Sequence, residues 1–199
     1  MARVKPKKYD KNYLSFRKGR LMLNICLNLL AGLAIFLIGL LLNKMQARNI
    51  FSVVAVLFIL PIARSMAELI ILLPYRKCEE SDYRKAEAAI EGKGMLLYET
   101  VFTSSETPMH LNMIALFHGR ILGYEAPKVS KSEKIHQENM KNAKAYIDRH
   151  LKNQLLGETI VIYDNIEKFV NAFPADRELT PEVSEELQAL RKSMEYFVV

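Results

Sequence analysis

The sequence predicts a membrane-anchored α+β protein: a two-helix transmembrane hairpin followed by a cytosolic domain ordered α-β-β-β-α-β-α-α. Three observations lead there. Residues 21–43 carry no charged side chain, and 18 of these 23 residues are hydrophobic. Residues 50–73 hold 19 hydrophobic side chains out of 24. The third observation is charge placement: the 199-residue chain has a net charge of +6, yet its first 20 residues alone carry +7, so everything after them sums to −1.

Residues 1–20 read as a basic cytosolic arm, with Arg3, Lys5, Lys7, Lys8, Lys11, Arg17, Lys18 and Arg20 against the single acid Asp10. Basic residues beside a membrane attract anionic headgroups at about 1 kcal/mol each, so these eight are the expected anionic-lipid contacts. Tyr9, Tyr13 and Phe16 are placed as interfacial aromatics. Lys and Arg interleaved with aromatics also suit phosphate tracking on nucleic acid, but a position directly before an apolar span favours the lipid reading.

The first transmembrane helix is expected over 21–43. At about 1.5 Å per residue it reaches roughly 34 Å, enough for a hydrocarbon core of about 30 Å. Its apolar core exceeds the usual ~7–15 residues of a secretory signal, and no small-x-small cleavage site follows it. Residues 44–49 form an external turn, and the second helix runs over 50–74. Pro61 removes a backbone donor and is expected to bend it. Arg64 and Glu68, four apart, share a face and are expected to pair as a polar pair in the membrane interior. Gly32 and Gly39 can bring two helices close, within the hairpin or between copies. With two basic residues in the turn and eight in the arm, the positive-inside rule puts both termini in the cytoplasm of a multi-pass cell-membrane protein.

Residues 75–199 form the cytosolic α+β domain. A helix is expected over 79–91, ended by Gly92 and Gly94; strands over 95–103, 109–117 and 120–124, the last two joined at His118 and Gly119; a long helix from Ser130 or Ser132 to about Leu156; a strand over 159–163; a helix over 165–173 capped by Asp164; and a last helix opened by Thr180 and Pro181 and reaching about Phe197. Glu182, Glu185, Glu186 and Glu195 form a solvated face of that helix. The apolar C-terminus, Tyr196 to Val199, is expected to pack on the domain rather than join a partner's sheet edge.

The order helix, three strands, helix, strand resembles the core of restriction-endonuclease-like nucleases. That resemblance implies an acid on the second strand and, on the third, an acid with a lysine two residues on, a set that holds Mg²⁺ and an attacking water. Here the second strand carries Asn112 where the acid belongs, and Glu125 is followed by Lys128 three residues on, with Pro127 between. The departure falls on the chemistry, so no catalytic residue is assigned.

Nothing else supplies one. Cys26 and Cys78 are too far apart in sequence to suggest a zinc site or a disulfide framework, and His110, His118, His136 and His150 lack helical metal-ligand spacing. There is no phosphate-binding glycine loop and no nucleophile elbow. The expectation is therefore a two-span anchor that holds a binding or scaffold domain at the inner leaflet, with no cofactor and no metal. Its expected partners are the lipid bilayer and an unidentified protein, with a homo-oligomer possible through the spans and nucleic acid not expected. A divergent membrane-bound hydrolase or nuclease around Asn112, Glu125 and Lys128, or a small transporter component using Arg64 and Glu68, are the alternatives.

Overall fold

The structure, a computed structural model, describes residues 6–46, 48–102, 109–127, 141–142, 144–145, 159–175 and 179–195. It has helices and a mixed four-stranded sheet, divided into two compact units. One unit is Leu14–Tyr75; the other joins Met1–Tyr13 to Arg76–Val199, so the first thirteen residues cluster with the chain that follows the apolar helices.

Within Leu14–Tyr75, α1 runs Tyr13–Leu42, α2 Ile50–Leu57 and α3 Ile59–Leu72. Helix α1 begins eight residues before the charge-free run and takes Arg17, Lys18 and Arg20 into its first turns. Long basic side chains have good helix propensity, so nothing stops the helix at the apolar boundary. Asn49 caps α2, its side chain accepting from the Ser52 backbone N–H at 3.0 Å. The helix expected over 50–74 is interrupted at Phe58. A proline at position 61 has no N–H for the Leu57 carbonyl and its ring crowds that carbonyl, so the break falls one turn before the proline. Counted together, the stretches Tyr13–Leu42 and Ile50–Leu72 are long and apolar enough to cross a membrane.

The glycines are used inside this hairpin. A Cβ on Gly39 would stand 2.4 Å from the Phe51 Cβ, and one on Gly32 3.2 Å from the Phe58 Cβ. Phe51 and Phe58 therefore sit against bare backbone of α1, the close approach that small residues permit between apolar helices.

In the other unit, α4 spans Glu80–Ile90, with Glu80 and Asp82 in its first turn, where acids favour the helix dipole. Strands β1 (Met95–Phe102), β2 (Met109–Phe117) and β3 (Arg120–Tyr124) form an antiparallel meander, and β4 (Thr159–Tyr163) joins β3 in parallel, giving the order β1-β2-β3-β4. The turn after β2 uses Gly119 at φ 73°, a conformation without steric cost for glycine. Helix α5 is Ile166–Asn171, and its cap is Asn165, not Asp164: the Asn165 side chain accepts from the N–H groups of Glu167 and Lys168. Helix α6, Pro181–Met194, starts as expected with Thr180 as cap and proline at its first position. The long helix expected over 130–156 lies outside the described residues except for Lys141, Asn142, Lys144 and Ala145, which are helical. The turn 104–108, the residues after Glu195, His136 and His150 also lie outside them.

Both faces of the sheet are covered, which is why every residue of β2 is buried. On one face Leu97, Phe102, Leu111, Ile114 and Leu116 meet Val183, Leu187, Leu190 and Met194, a helical stripe of α6. On the other, Met113, Ala115, Phe117 and Leu122 meet Tyr83, Ala86 and Ile90 of α4 and Phe169 and Val170 of α5. Tyr9, from the basic arm, is 3% exposed and belongs to the first cluster.

The two core faces do not follow a constant alternation. On β2, Met109 and Leu111 belong to the first cluster, but so do Ile114 and Leu116. On β1, Met95 and Leu97 pack on the same side as Phe102. The phase changes at Glu99 and Asn112, the two positions that face each other in the register and are left out of the pairing between Tyr98↔Met113 and Thr100↔Leu111. Glu99 lies at φ 47°, in the left-handed region, which turns the next side chain to the opposite face.

Candidate functional site

All eight expected lipid-contacting residues lie in the basic arm, and the structure gives several of them protein partners. Lys11, half-buried, has the largest set of partners among them. Its ammonium lies 2.7 Å from Glu87 and 3.5 Å from Glu80, both on α4, and stands over the rings of Tyr83 and Tyr98 at 5.4 and 5.7 Å. Lys8 donates to the Glu195 carbonyl. In the other unit Arg17 pairs with Glu68, and Lys18 donates to the carbonyls of Leu73 and Tyr75 beyond the end of α3, where a cation meets the negative end of the helix dipole. Lys7 and Arg20 are exposed, while Arg3 and Lys5 fall outside the described residues.

The pair expected between Arg64 and Glu68 is not formed. Glu68 bonds Arg17 of α1, and Arg64 is exposed, in no ion pair among the described residues. The reason is tertiary: an i,i+4 neighbour contributes a few tenths of a kcal/mol on a helix surface, whereas Arg17 offers its guanidinium from the adjoining helix of the hairpin.

A second polar arrangement lies across the middle of the sheet. Glu99, Asn112 and Glu125 are each 2% exposed. Asn112 faces Glu99 across β1 and β2, and extending the β2–β3 register one step past Met113↔Tyr124 brings it opposite Glu125. Both ends of the Asn112 amide bond backbone: Nδ2 donates to the Arg76 carbonyl at 2.9 Å and Oδ1 accepts from the Ala126 N–H at 2.9 Å. It therefore ties the chain before α4 to the end of β3. The Tyr83 hydroxyl donates to Glu99 at 3.5 Å, and that of Tyr124 to Asp82 at 3.0 Å. Lys128 lies outside the described residues. Among the described residues no group of three or more His, Cys, Asp and Glu converges as metal ligands.

Compared with known proteins, the chain matches no family model, no curated protein and no solved structure.

Electrostatics set the Lys11 cluster apart. Partial burial works against the Lys11 charge, but Glu87, through a hydrogen bond and its charge, and Glu80 hold the ammonium above the usual lysine range. Partial burial also opposes ionisation of Glu87, yet hydrogen bonds from Lys11 and Tyr98 hold its carboxyl below the usual glutamate range. Burial, together with donation to Glu87 at 2.6 Å, raises Tyr98. Each partner thus keeps its neutral-pH charge state more firmly than it would alone. Close by, burial pushes the Cys78 thiol up to about 11, a thiol poorly suited to nucleophilic work.

Glu80, Tyr83, Glu87 and Tyr98 are not among the site residues expected from sequence. Glu80, Tyr83 and Glu87 follow i, i+3, i+7 spacing, so one polar-aromatic stripe on α4 was legible. Its partners Tyr98 and Lys11 come from a strand and from beyond the hairpin, and only folding brings them to it. His118, expected as a turn histidine, is one, with Nδ1 2.8 Å from Glu186 of α6. A groove of about 290 Å³ between α1 and α2–α3 is lined by apolar side chains such as Leu29, Leu33, Val56 and Ile59, with Asn28 and Ser52 at its polar points.

Proposed function

We propose that this protein is a membrane-anchored binding or scaffold module, with the α1–α3 hairpin in the bilayer and the α+β domain in the cytoplasm. The observation that carries the reading is where the apolar side chains of the hairpin point. Only 11% of the most apolar stretch of α1 is buried within the molecule, and none of that of α2–α3. Leu23, Leu30, Leu41, Ile59, Leu60 and Ile70 are each more than half exposed. A core helix of a water-soluble domain buries such side chains, whereas lipid solvates them.

Orientation rests on charge: the arm is strongly basic and the turn at 44–49 holds only Lys44 and Arg48, so both termini are cytoplasmic. Lys7 and Arg20, exposed near the start of α1, are the described residues best suited to anionic headgroups. The sheet of the domain is closed over by helices on both faces, which suits recognition of another protein through its surface.

The test is labelling of a single cysteine placed at Met45, in a chain with Cys26 and Cys78 replaced by serine. An impermeant maleimide added to intact cells is expected to modify it, and alkaline carbonate to leave the protein in the membrane pellet. Modification only after the cells are opened overturns the orientation, and release by carbonate overturns the anchor.

A further inference from the structure

We propose that Tyr83, Tyr98, Glu80 and Glu87 form an alkylammonium-recognition site whose resident ligand is Lys11 of the same chain, and that a charged amine in this site straps the N-terminal segment over the open edge of the sheet. Four groups from two elements converge on one nitrogen. Glu87 and Glu80 lie 2.7 and 3.5 Å from the Lys11 Nζ, and the two rings present their faces to it at 5.4 and 5.7 Å. The rings meet nearly edge to face, with centroids 5.6 Å apart at 67°, which opens a corner between them. The Tyr98 hydroxyl donates to Glu87 at 2.6 Å, fixing the carboxylate that makes the shorter contact. Paired aromatic faces with a carboxylate are the chemistry that selects an ammonium over a neutral side chain of the same length.

What the amine holds in place is visible on either side of it. Strand β1 is an edge of the sheet, and an exposed edge invites pairing with another chain. Its Tyr98 N–H donates to the Tyr9 carbonyl at 3.1 Å, while the Tyr9 ring is buried in the core and Arg191 of α6 lies 5.6 Å over it. Lys11 follows two residues later, so Tyr9 and Lys11 grip the edge strand from its two faces. Arg84, also near Glu80 at 3.9 Å, is the more exposed cation and comes from α4 itself, so it cannot hold the arm.

The experiment uses the full-length protein in a neutral detergent and reads hydrogen exchange at the Tyr98 amide, with β2 amides as internal reference. Lys11→Met, which keeps most of the unbranched stem and removes the charge, and Lys11→Ala are expected to speed Tyr98 exchange about ten-fold while β2 is unchanged. In Lys11→Ala, n-propylammonium at millimolar concentration is expected to shift the Tyr83 and Tyr98 ring signals and 1-propanol not to; adding Glu87→Gln removes the shift, and Tyr98 protection is not restored because the free amine is not tied to the arm. If Lys11→Ala does not fold, the same two additives are compared during refolding, and recovery with the amine alone supports the site. Undisturbed protection in Lys11→Met, equal response to amine and alcohol, or a response that survives Glu87→Gln overturns it.

Discussion

Lys77 donates through Nζ to the Asn12 side-chain oxygen at 2.8 Å. These residues are 65 apart in sequence and lie just outside the two ends of the apolar hairpin, so the domain closes on itself across the point where the hairpin is inserted. The Met1–Tyr13 segment is part of the domain: Tyr9 is buried in its core, and Asn12 and Lys11 bond to the chain that returns.

Replacing residues 14–75 by a flexible linker of about six residues is therefore expected to give a soluble, folded domain, since the ends to be joined are held within a side chain's reach. Dispersed amide NMR signals check this. A fragment of residues 76–199 alone, lacking Tyr9, is expected to be less stable by about 3 kcal/mol in urea unfolding, the scale of deleting a large aromatic from a core.

Asn112→Ala leaves the partly buried Arg76 carbonyl and Ala126 N–H without their side-chain partner. About 1–2 kcal/mol of destabilisation is expected, measured as a fall in the urea midpoint with little change in slope. A loss under about 0.5 kcal/mol contradicts the bracing role.

Gly39→Ala forces a Cβ against the Phe51 Cβ, an atom fixed to its backbone, and is expected to cost about 1–3 kcal/mol in thermal unfolding in detergent. Gly19→Ala meets nothing within 4 Å and is the control, neutral or stabilising by up to about 1 kcal/mol because alanine favours helix.

Since Glu68 pairs with Arg17 and not with Arg64, a double-mutant cycle on Arg17 and Glu68 is expected to show a coupling of about 0.5–1 kcal/mol, and one on Arg64 and Glu68 a coupling near zero. The reverse ranking restores the i,i+4 pair.

The Lys11–Glu87 contact has a defined pH window. Glu87 is depressed in the folded state, so its contribution is present above the ordinary glutamate range and is lost as pH falls through the lower folded value. Lys11 is raised, so its contribution is present below the ordinary lysine range and is lost as pH rises through the higher folded value. Stability of the arm, followed by Tyr98 amide protection, is expected to be flat from about pH 5 to 9 and to fall on both sides. The Cys78 thiol, raised to about 11, is expected to react with a maleimide at pH 7.5 about a hundred-fold more slowly than a free cysteine.

Local chemistry was legible in the sequence wherever it decides alone. The charge-free run and its basic flank, the hairpin strands Met109–Phe117 and Arg120–Tyr124 around His118 and Gly119, and the Thr180–Pro181 helix start all depend on neighbours within a few residues. Two outcomes turned on finer balances: Asn165 and Asp164 are both good caps and only one can hold the capping position, and Pro61 acts on the carbonyl four residues before it, so the break sits at Phe58.

Periodicity misled at Glu99 and Asn112, because a residue with positive φ shifts the phase of a strand and leaves no mark in the pattern of hydrophobic residues. The partner of Glu68 and the surroundings of Lys11 needed the tertiary structure for a different reason. Charges on a chain find partners through space, and sequence separation ranks only the local candidates; the separation of 51 positions between Arg17 and Glu68 vanishes once two helices lie side by side. By itself the sequence determined that this chain has two helices suited to lipid and a mixed helix-and-strand domain. Folding alone decided that residues 6–13 of the basic arm pack with that domain, since burial of Tyr9 and enclosure of Lys11 exist only when the core around them does.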